Sequence, residues 1–302
     1  MNSQTQYHMG TQVEVEIFDV WDFQTLLSNA FAIFQEMEQI FSRFLPDSLL
    51  SQLNQKKVLE VPPVFLEVLE QAQYFYKISQ GYFNPLINLS ALWYQKSFET
   101  LEKQSIVPDI QHIRTRDMSD ISLHGNTVAL RGTAELDFWG IVKGYTVDRV
   151  KEYLLSQGIK NFLINAGGDI YMSGICHQDD SCIVWIDNPF DSIKLAATFS
   201  LQDSATATSG TYKRKWQIGK TQYHHILNPH TGENPSEIVS LTVIAPDCIT
   251  ADVSATVGIA MGLERATEFY EKEQIPALFI LHDKKMIMNS FWDRYTLELL
   301  SL

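Results

Sequence analysis

The sequence is poor in cysteine, in basic residues and in long apolar runs. Its 302 residues include 3 cysteines, and 23 lysines and arginines stand against 36 aspartates and glutamates, which gives a formal net charge of -13 at pH 7. This shortage of basic residues argues against nonspecific binding to nucleic acid or to anionic membranes, because such binding requires a basic surface. No apolar run approaches the roughly 20 residues of a membrane-spanning helix.

The few cysteines argue against a metal site built from cysteine pairs and against a fold held together by a disulfide framework. Cys176, Cys182 and Cys248 have neither the spacing of metal-ligand pairs nor that of a disulfide framework. We therefore expect idle or buried thiols in a reducing compartment. The first residues contain no basic segment, apolar segment or cleavage site of a signal peptide, and no lipidation motif. The sequence thus predicts a cytoplasmic protein.

Glycine is scarce in the first half of the chain and concentrated in the second. Of the 15 glycines, nine lie between Gly140 and Gly232, whereas the stretch from Thr11 to Trp139 holds only three. The composition is otherwise that of a globular protein, with 45% hydrophobic and 20% charged residues. Segments able to approach a ligand closely are therefore expected in the second half.

Apolar periodicity predicts a mixture of helices and strands. In the first half we expect a strand over residues 11–18, a helix from about Asp22, its N-cap, to before Pro46, and a helix from Pro62 or Pro63 to Gln80. Residues 90–120 give weak signals of short helices and loops. Without strict alternation of strand and helix, the pattern predicts an α+β fold, a single domain of residues 1–302 with a mixed or antiparallel sheet and packed helices. In the second half, helices are predicted at 143–157, 249–261 and 264–271, and strands at 161–165, 169–173, 182–187, 193–201, 239–245, 277–281 and 286–288.

The segment from Leu136 to Asp148 combines an acid, a lysine and two glycines at a predicted helix start. Asp137 follows an apolar residue, and Gly140 and Gly144 bracket Lys143. Glycines allow close backbone approach to a ligand, and helix N-termini favour anions. Lys143 would supply a positive charge for a phosphate. The alternative is an ordinary helix-entry turn with Lys143 in solvent.

A second glycine-containing segment runs from Asn165 to Asp169. The adjacent Gly167 and Gly168 follow an apolar strand and form either a tight turn or a close backbone approach to a ligand. The segment lacks the G-x-G-x-x-G pattern, and no helix follows it. A dinucleotide site of the Rossmann type is therefore excluded.

The stretch from Ser204 to Gly232 inverts the charge of the chain, since it contains no aspartate or glutamate. Its hydroxyls and basic groups suit phosphate oxygens, although a solvated basic face is the alternative. The stretch also contains His224 and His225, whose side chains would point to opposite faces of a strand. We expect one of them in a site and the other in a structural role. The basic residues of the stretch are Lys213, Arg214, Lys215 and Lys220.

Asp252 and Thr256 lie four residues apart near a predicted helix start, which places them on one face. A carboxylate and a hydroxyl are hard oxygen ligands of the kind that Mg²⁺ takes, with waters and ligand phosphates completing its coordination. The alternative is that Asp252 interacts with the helix dipole and Thr256 belongs to the core.

The order of these segments closely resembles the ApbE family of FAD:protein FMN transferases. The resemblance extends from Met9 to about Gly262 and rests on eight ordered motifs. These are Met9-Gly10-Thr11, Phe41-Ser42-Arg43-Phe44 with Ser48 and Leu53-Asn54, Gly81-Tyr82-Phe83-Asn84-Pro85, Leu136 to Asp148, Asn165 to Asp169, Thr208-Ser209-Gly210, His224 to Gly232 and Ala251 to Thr256.

The resemblance implies an ApbE-like, T-fold-like architecture and a flavin transfer reaction. Such enzymes bind FAD and Mg²⁺ and attach FMN through its phosphate to a Thr or Ser hydroxyl of an acceptor protein, with release of AMP. The backbone carbonyl of Gly140 with Asp252 and Thr256 would hold Mg²⁺, and His225 and Lys143 are the catalytic or phosphate-binding candidates. The residues implied to line the FAD site are Met9, Phe44, Tyr82, Phe83, Asn84, Asp137, Lys143 and Ile226.

The chain departs from the family pattern at several positions. Asn84, Thr211 and Asn228 each replace a frequent aspartate, and the segment from Gly81 to Leu89 is shorter than usual. Trp139 stands where a small residue is usual, so that a bulky indole would reshape the pocket. These changes would weaken Mg²⁺ binding or alter the choice of acceptor. Two other functions therefore stay open, a flavin-binding protein without transferase activity and a Mg²⁺-dependent FAD pyrophosphatase that forms FMN and AMP.

Overall fold

The computed structural model describes residues 2–19, 23–87, 116–176, 182–213, 215–218, 221–300 and 302. The helices of this part of the chain are α1 (Gln24–Phe41), α2 (Leu49–Lys56), α3 (Pro63–Ile78), α4 (Val142–Ser156), α5 (Cys248–Met261) and α6 (Leu263–Glu273), with a 3₁₀ turn at Met118–Asp120. The strands are β1 (Ser3–His8), β2 (Thr11–Ile17), β3 (Val58–Glu60), β4 (Ile121–His124), β5 (Thr127–Leu130), β6 (Phe162–Ala166), β7 (Asp169–Ser173), β8 (Cys182–Asp187), β9 (Leu195–Leu201), β10 (Ser204–Gly210), β11 (Lys215–Ile218), β12 (Thr221–His224), β13 (Ile238–Ala245), β14 (Ala277–Leu281), β15 (Met286–Met288) and β16 (Thr296–Leu299).

An eight-stranded sheet runs through the middle of the molecule. Its strand order is β1-β2-β6-β7-β10-β13-β14-β15, and every neighbouring pair is antiparallel. Two three-stranded sheets, β3-β5-β4 and β8-β9-β16, and the β11-β12 hairpin complete the strands of the described residues. The α+β class with an antiparallel sheet is therefore confirmed.

The two faces of the eight-stranded sheet are covered by different elements. On one face, alternate residues such as Val15 and Val243 join the side chains of the helices in the larger apolar cluster. On the other face, Ile244 and Leu278 join side chains of β8 and β9 and the fully buried Trp292 in a smaller cluster. All eight residues of β13 are buried, because this central strand has apolar neighbours on both sides.

Several predicted element boundaries are confirmed. Helix α3 begins with Pro63 and is followed by Gly81, whose φ of 84° and N–H bond to the carbonyl of Tyr76 end the helix in a left-handed turn. The predicted N-cap Asp22 and most of the weakly patterned region, residues 88–115, lie outside the described residues. The sequence predicted the short strand β15, but it did not predict a further set of elements, since their apolar patterns are brief. These elements are β1, α2, β3, β4, β5, β10, β11, β12 and β16.

The cysteines differ from expectation. Cys176 and Cys182 form a disulfide between the end of β7 and the start of β8, with their Cα atoms 5.4 Å apart. The expectation of idle thiols is therefore wrong for this pair, because the fold brings together two residues whose spacing in the sequence carried no signal. Cys248 is a free, buried thiol, and burial raises its pKa well above the usual value.

Within the described ranges, no helix combines the length and the apolar character needed to cross a bilayer.

Candidate functional site

A cavity of about 430 Å³ opens between the N-terminal ends of α4 and α5, the β6–β7 turn and strands β8 and β10. Its size lies within the range of small-molecule sites, roughly 300–1,000 Å³. Most of the residues implied by the family resemblance line it, although they are far apart in the sequence. They are Tyr82, Phe83, Asn84, Asp137, Gly140, Lys143, His225, Ile226, Asp252 and Thr256.

Met9 and Phe44, the other two implied residues, lie in a separate crevice next to this cavity. The crevice measures about 40 Å³ and is bounded by the β1–β2 turn and the segment that follows α1. Asp137, Trp139 and Lys143 line both the crevice and the cavity. The two spaces are therefore neighbours that share these three lining residues.

The crossing of α4 and α5 positions Asp252. Gly144 lies at the crossing, where an added Cβ would come within 2.5 Å of the carbonyl oxygen of Cys248. The N–H of Gly144 donates to Oδ2 of Asp252 at 3.2 Å. In the reverse direction, the carboxylate of Asp148 accepts the N–H groups of Cys248 and Ile249 at 2.9 and 2.8 Å. Each helix thus presents a carboxylate to the backbone of the other, and the glycine permits this close approach.

The candidate magnesium ligands converge on one wall of the cavity. A Cβ built on Gly140 would lie 4.0 Å from Cγ2 of Thr256. The hydroxyl of Thr256 is 3.0 Å from that of Ser209 on β10. Ser209 belongs to the Thr208-Ser209-Gly210 motif, and no role was predicted for it. Among the described residues, no group of three or more His, Cys, Asp or Glu side chains is arranged to hold a metal ion.

The donor set nevertheless fits Mg²⁺. One carboxylate, one hydroxyl and one backbone carbonyl are hard oxygen ligands, and Mg²⁺ usually keeps several waters or substrate phosphates in its coordination shell. Of the cavity carboxylates in the described part of the chain, Asp137, Asp169 and Asp187 each pair with a cation, whereas Asp252 accepts a backbone N–H. Asp252 is therefore the carboxylate at this wall that would bind a cation.

Lys143 points into the cavity, not into solvent. Its ammonium forms an ion pair with the buried carboxylate of Asp169, and both residues line the cavity. Asp169 follows the turn at Gly167 and Gly168, in which the N–H of Gly168 donates to Oδ1 of Asn165 at 2.9 Å. The turn interpretation is thus confirmed, and the turn also delivers a carboxylate. This role of Asp169 was not predicted from the sequence, although Asp169 is the last residue of the glycine-containing segment that begins at Asn165.

Asp137 is held in a fixed orientation beside Lys143. Its carboxylate forms a buried ion pair with Arg43 and accepts the N–H of Trp139 at 2.9 Å. The side chain of Asn54 fixes the preceding residue, because it donates to the carbonyl of Leu136 and accepts its N–H, both at 2.8 Å. The charge of Asp137 is therefore compensated within the protein, and its position at the cavity wall is well defined.

The two adjacent histidines have different surroundings. His224 is buried, and its Nε2 lies 2.8 Å from the carbonyl oxygen of Pro235, while its Nδ1 accepts the N–H of Ile226 at 3.3 Å. These bonds require a neutral ring with the proton on Nε2, and burial lowers the pKa of His224 below its usual value. His225 lines the cavity. The structure thus assigns the structural position to His224 and places His225 at the site.

Asn234 fixes the backbone on both sides of His225. Its side-chain amide donates to the carbonyl of His224 and to that of Ile226, at 2.7 Å each. Sequence reasoning missed Asn234, because nothing in the local pattern indicates that it reaches back to a residue ten positions earlier.

The departures at Asn84, Thr211 and Asn228 are accommodated by hydrogen bonds. Oδ1 of Asn84 accepts the N–H of Leu86 at 3.0 Å, and its amide donates to the carbonyl of Arg116 at 3.2 Å. Asn228 accepts the N–H groups of His230 and Thr231 in a turn. Each side chain thus organises the local backbone, as a turn-forming residue does. The same holds for the hydroxyl of the buried Thr211, which donates to the carbonyls of Ile238 or Val239 at 3.4 Å.

The basic stretch is only partly described. Lys213 lines the cavity rim and pairs with Asp187 at 3.2 Å, with more than half of each side chain exposed. The side chain of Lys213 is therefore largely in solvent, as the interpretation of the stretch as a solvated basic face predicts. Arg214 and Lys220 lie outside the described residues.

Comparison with protein families and with curated proteins gives a consistent result. The model of the ApbE family matches residues 9–279. The chain is 30% identical over 291 residues to an FAD:protein FMN transferase of Vibrio cholerae, which covers 90% of this chain and 85% of that protein. It is 26% identical over 313 residues to an FAD:protein FMN transferase of Treponema pallidum, covering 94% and 85% respectively.

Solved structures agree with the sequence relatives. The flavin transferase ApbE from Vibrio cholerae superposes with a TM-score of 0.83 at 28% identity and covers 97% of this chain and 98% of that chain. The ApbE protein from Thermotoga maritima gives a TM-score of 0.87 at 23% identity over 98% and 99% of the two chains. At that lower identity the second likeness concerns the fold alone.

Proposed function

Because the chain belongs to the ApbE family and is an FAD:protein FMN transferase, we propose that it transfers FMN from FAD to a threonine or serine hydroxyl of an acceptor protein, in a magnesium-dependent reaction that releases AMP. The observation that carries this proposal is the convergence of the implied ligands on one cavity. Lys143, His225 and Asp252 come from separate segments of the chain, and all three line that cavity. We also propose that residues 1–302 form a single domain.

The proposed reaction is a displacement at phosphorus. The acceptor hydroxyl oxygen forms a bond to the phosphorus of the FMN half of FAD, and the bond from that phosphorus to the bridging oxygen breaks. AMP leaves with the bridging oxygen, and the hydroxyl proton passes to a base. In such transfers the enzyme contributes mainly positioning and charge neutralisation.

Gly140, Asp252 and Thr256 would hold the magnesium ion through their oxygens. When bound there, Mg²⁺ neutralises negative charge on the pyrophosphate and makes AMP a better leaving group. The wall that carries these oxygens is rigid, because the crossing of α4 and α5 leaves Asp252 hydrogen-bonded to Gly144. Preorganised ligands of this kind lose little free energy to reordering during the reaction.

Lys143 and His225 complete the proposed catalytic set. Asp169 keeps the ammonium of Lys143 inside the cavity, where it would meet phosphate oxygens as a point charge. We assign to His225 the acceptance of the hydroxyl proton, which an imidazole performs well near neutral pH. Asn234 would act as its positioning residue through the two flanking carbonyls.

The apolar part of the cavity suits the rings of FAD. Phe83 and Ile226 are almost fully buried, and Tyr82 is fixed by a hydrogen bond from Arg265 at 2.8 Å and by the ring of His230 at 4.6 Å between ring centres. These residues lie on the same cavity as the proposed phosphate-binding groups. An apolar wall beside a charged wall matches a ligand with rings and a pyrophosphate.

The test is an incubation of the purified chain with FAD, Mg²⁺ and an acceptor protein that carries a flavinylation threonine. Intact-mass spectrometry is expected to show a gain of one FMN on the acceptor and chromatography an equal amount of AMP. The matched control is the acceptor with that threonine replaced by alanine, which should gain no mass. Release of FMN and AMP without acceptor modification would establish the pyrophosphatase alternative, and unchanged FAD would leave only flavin binding.

A further inference from the structure

Trp139 lies at the boundary between the cavity and the crevice described above. Trp139 lines both spaces. On the crevice side its ring stands perpendicular to that of Phe44, at 87° and 5.9 Å between centres. The guanidinium of Arg43 lies 5.5 Å from the indole centre, close enough for a cation–π contact.

The β1–β2 turn fixes the far edge of this indole. Gly10 has a φ of 72° in that turn, and a Cβ added to it would lie 3.2 Å from Cη2 of Trp139. A hydrogen bond fixes the backbone of Trp139, because its N–H donates to the carboxylate of Asp137, which is itself paired with Arg43. Ring, edge and backbone of Trp139 are thus each fixed by a different segment of the chain.

With the indole in this position, little space is left at Met9 and Phe44. The crevice measures about 40 Å³, less than a tenth of the volume of the cavity, which is about 430 Å³. Met9 and Phe44 line the crevice and do not line the cavity. A heteroaromatic ring that enters the site meets Trp139 in their place.

We propose that Trp139 determines where a heteroaromatic ring of FAD binds in this protein, by closing the crevice at Met9 and Phe44 and by packing against the ring from the cavity side. The inference rests on the proposed function, since FAD must occupy the cavity. Aromatic packing adds to the free energy gained by burying apolar area. A residue fixed in advance also loses little conformational entropy on binding.

The experiment is a titration of the purified chain with FAD, followed by flavin fluorescence and by calorimetry. W139A is expected to raise the Kd of FAD about tenfold, the equivalent of about 1.4 kcal/mol. W139F keeps an aromatic ring and is expected to change the Kd less than threefold. Flavin emission, which a stacked indole quenches, should be higher in both complexes than in that of the wild-type chain if the isoalloxazine contacts Trp139.

Two further variants separate this role from a general loss of structure. Y74A removes an exposed aromatic side chain of α3 that lines neither space, and its Kd for FAD should equal that of the wild-type chain. G10A places a methyl group against the indole edge and should weaken FAD binding although Gly10 is outside the cavity. Circular dichroism and thermal melting of every variant establish that it is folded.

Separate titrations with FMN and AMP identify the ring. The nucleotide whose Kd rises in W139A carries the ring that contacts Trp139. An unchanged Kd for FAD in folded W139A and folded W139F would overturn the inference and leave the transferase proposal intact. A wild-type chain that does not bind FAD would overturn both.

Discussion

Asp252 illustrates how one side chain can be assigned from the charges around it. Asp137 and Asp169 line the same cavity, but Arg43 and Lys143 neutralise them. Asp252 instead accepts one N–H from Gly144, and Thr256 lies one helical turn further on. A carboxylate and a hydroxyl that share a helix face at a cavity wall are suited to a hard cation.

We predict that Asp252→Ala lowers FMN transfer by about 100-fold or more, comparable to the loss of a preorganised electrostatic group. The fold should persist, because the change removes one hydrogen bond of about 1 kcal/mol. The measurement is the rate of acceptor flavinylation as a function of Mg²⁺ concentration. Asp283→Ala, at an exposed carboxylate in the turn after β14, is the control and should behave as the wild-type chain does. Activity retained in Asp252→Ala would show that the magnesium assignment is wrong.

The two histidines show what local pattern can and cannot distinguish. Strand alternation indicated that His224 and His225 face opposite ways. Only the packed structure shows which of them is buried, because the acceptor carbonyl of Pro235 belongs to a segment that follows the strand. Asn234 could not be identified for the same reason, since its partners are backbone groups brought near by the loop.

The crossing of α4 and α5 is the element pair on which the site depends. Both helices begin at the cavity, and their backbones meet at Gly144 and Cys248. Asp148 accepts two N–H groups from the start of α5, although burial raises the pKa of its carboxyl. The neighbouring ammonium of Lys151, 3.1 Å away, favours the charged form that these bonds require. A change in the distance between the two helices would displace Asp252 from the wall.

We predict that Gly144→Ala destabilises the protein by about 1–3 kcal/mol, because the added methyl group meets backbone atoms of α5 that cannot rotate away. Chemical denaturation followed by circular dichroism measures this change. FMN transfer by the folded fraction should fall as well, since Asp252 moves with α5. Glu152→Ala, at an exposed position on the same helix, is the control. An unchanged free energy of unfolding in Gly144→Ala would contradict the described crossing.

At the scale of the whole molecule, the described residues form an eight-stranded antiparallel sheet with helices on one face and the small sheet β8-β9-β16 on the other. The cavity borders both layers, since Lys143 and Asp252 come from the helical side and residues 184–187 from the small sheet. A ligand in the cavity therefore contacts both layers, and its binding free energy adds to the stability of the native state.

We predict that FAD at about 100 times its Kd stabilises the protein by about 2.7 kcal/mol, which corresponds to a rise in Tm of about 4 °C for a chain of this size. Mg²⁺ should increase the shift in the wild-type chain and have no such effect in Asp252→Ala. Differential scanning calorimetry with and without each ligand provides the measurement. A Tm that FAD leaves unchanged would count against binding in this cavity.

Apolar periodicity was sufficient to predict the α+β class, because helix caps, glycine turns and alternating strands depend on neighbouring residues. The ordered motifs indicated the family, and the resemblance to that family implied ten of the residues that line the cavity. Contacts between distant segments required the tertiary structure. It pairs Lys143 with Asp169 and Cys176 with Cys182, and it places Trp139 between Phe44 and the cavity. Such contacts form where separate elements pack, and no local pattern records them. The acidic net charge described the surface, whereas the pairing of charges in the cavity was decided by packing.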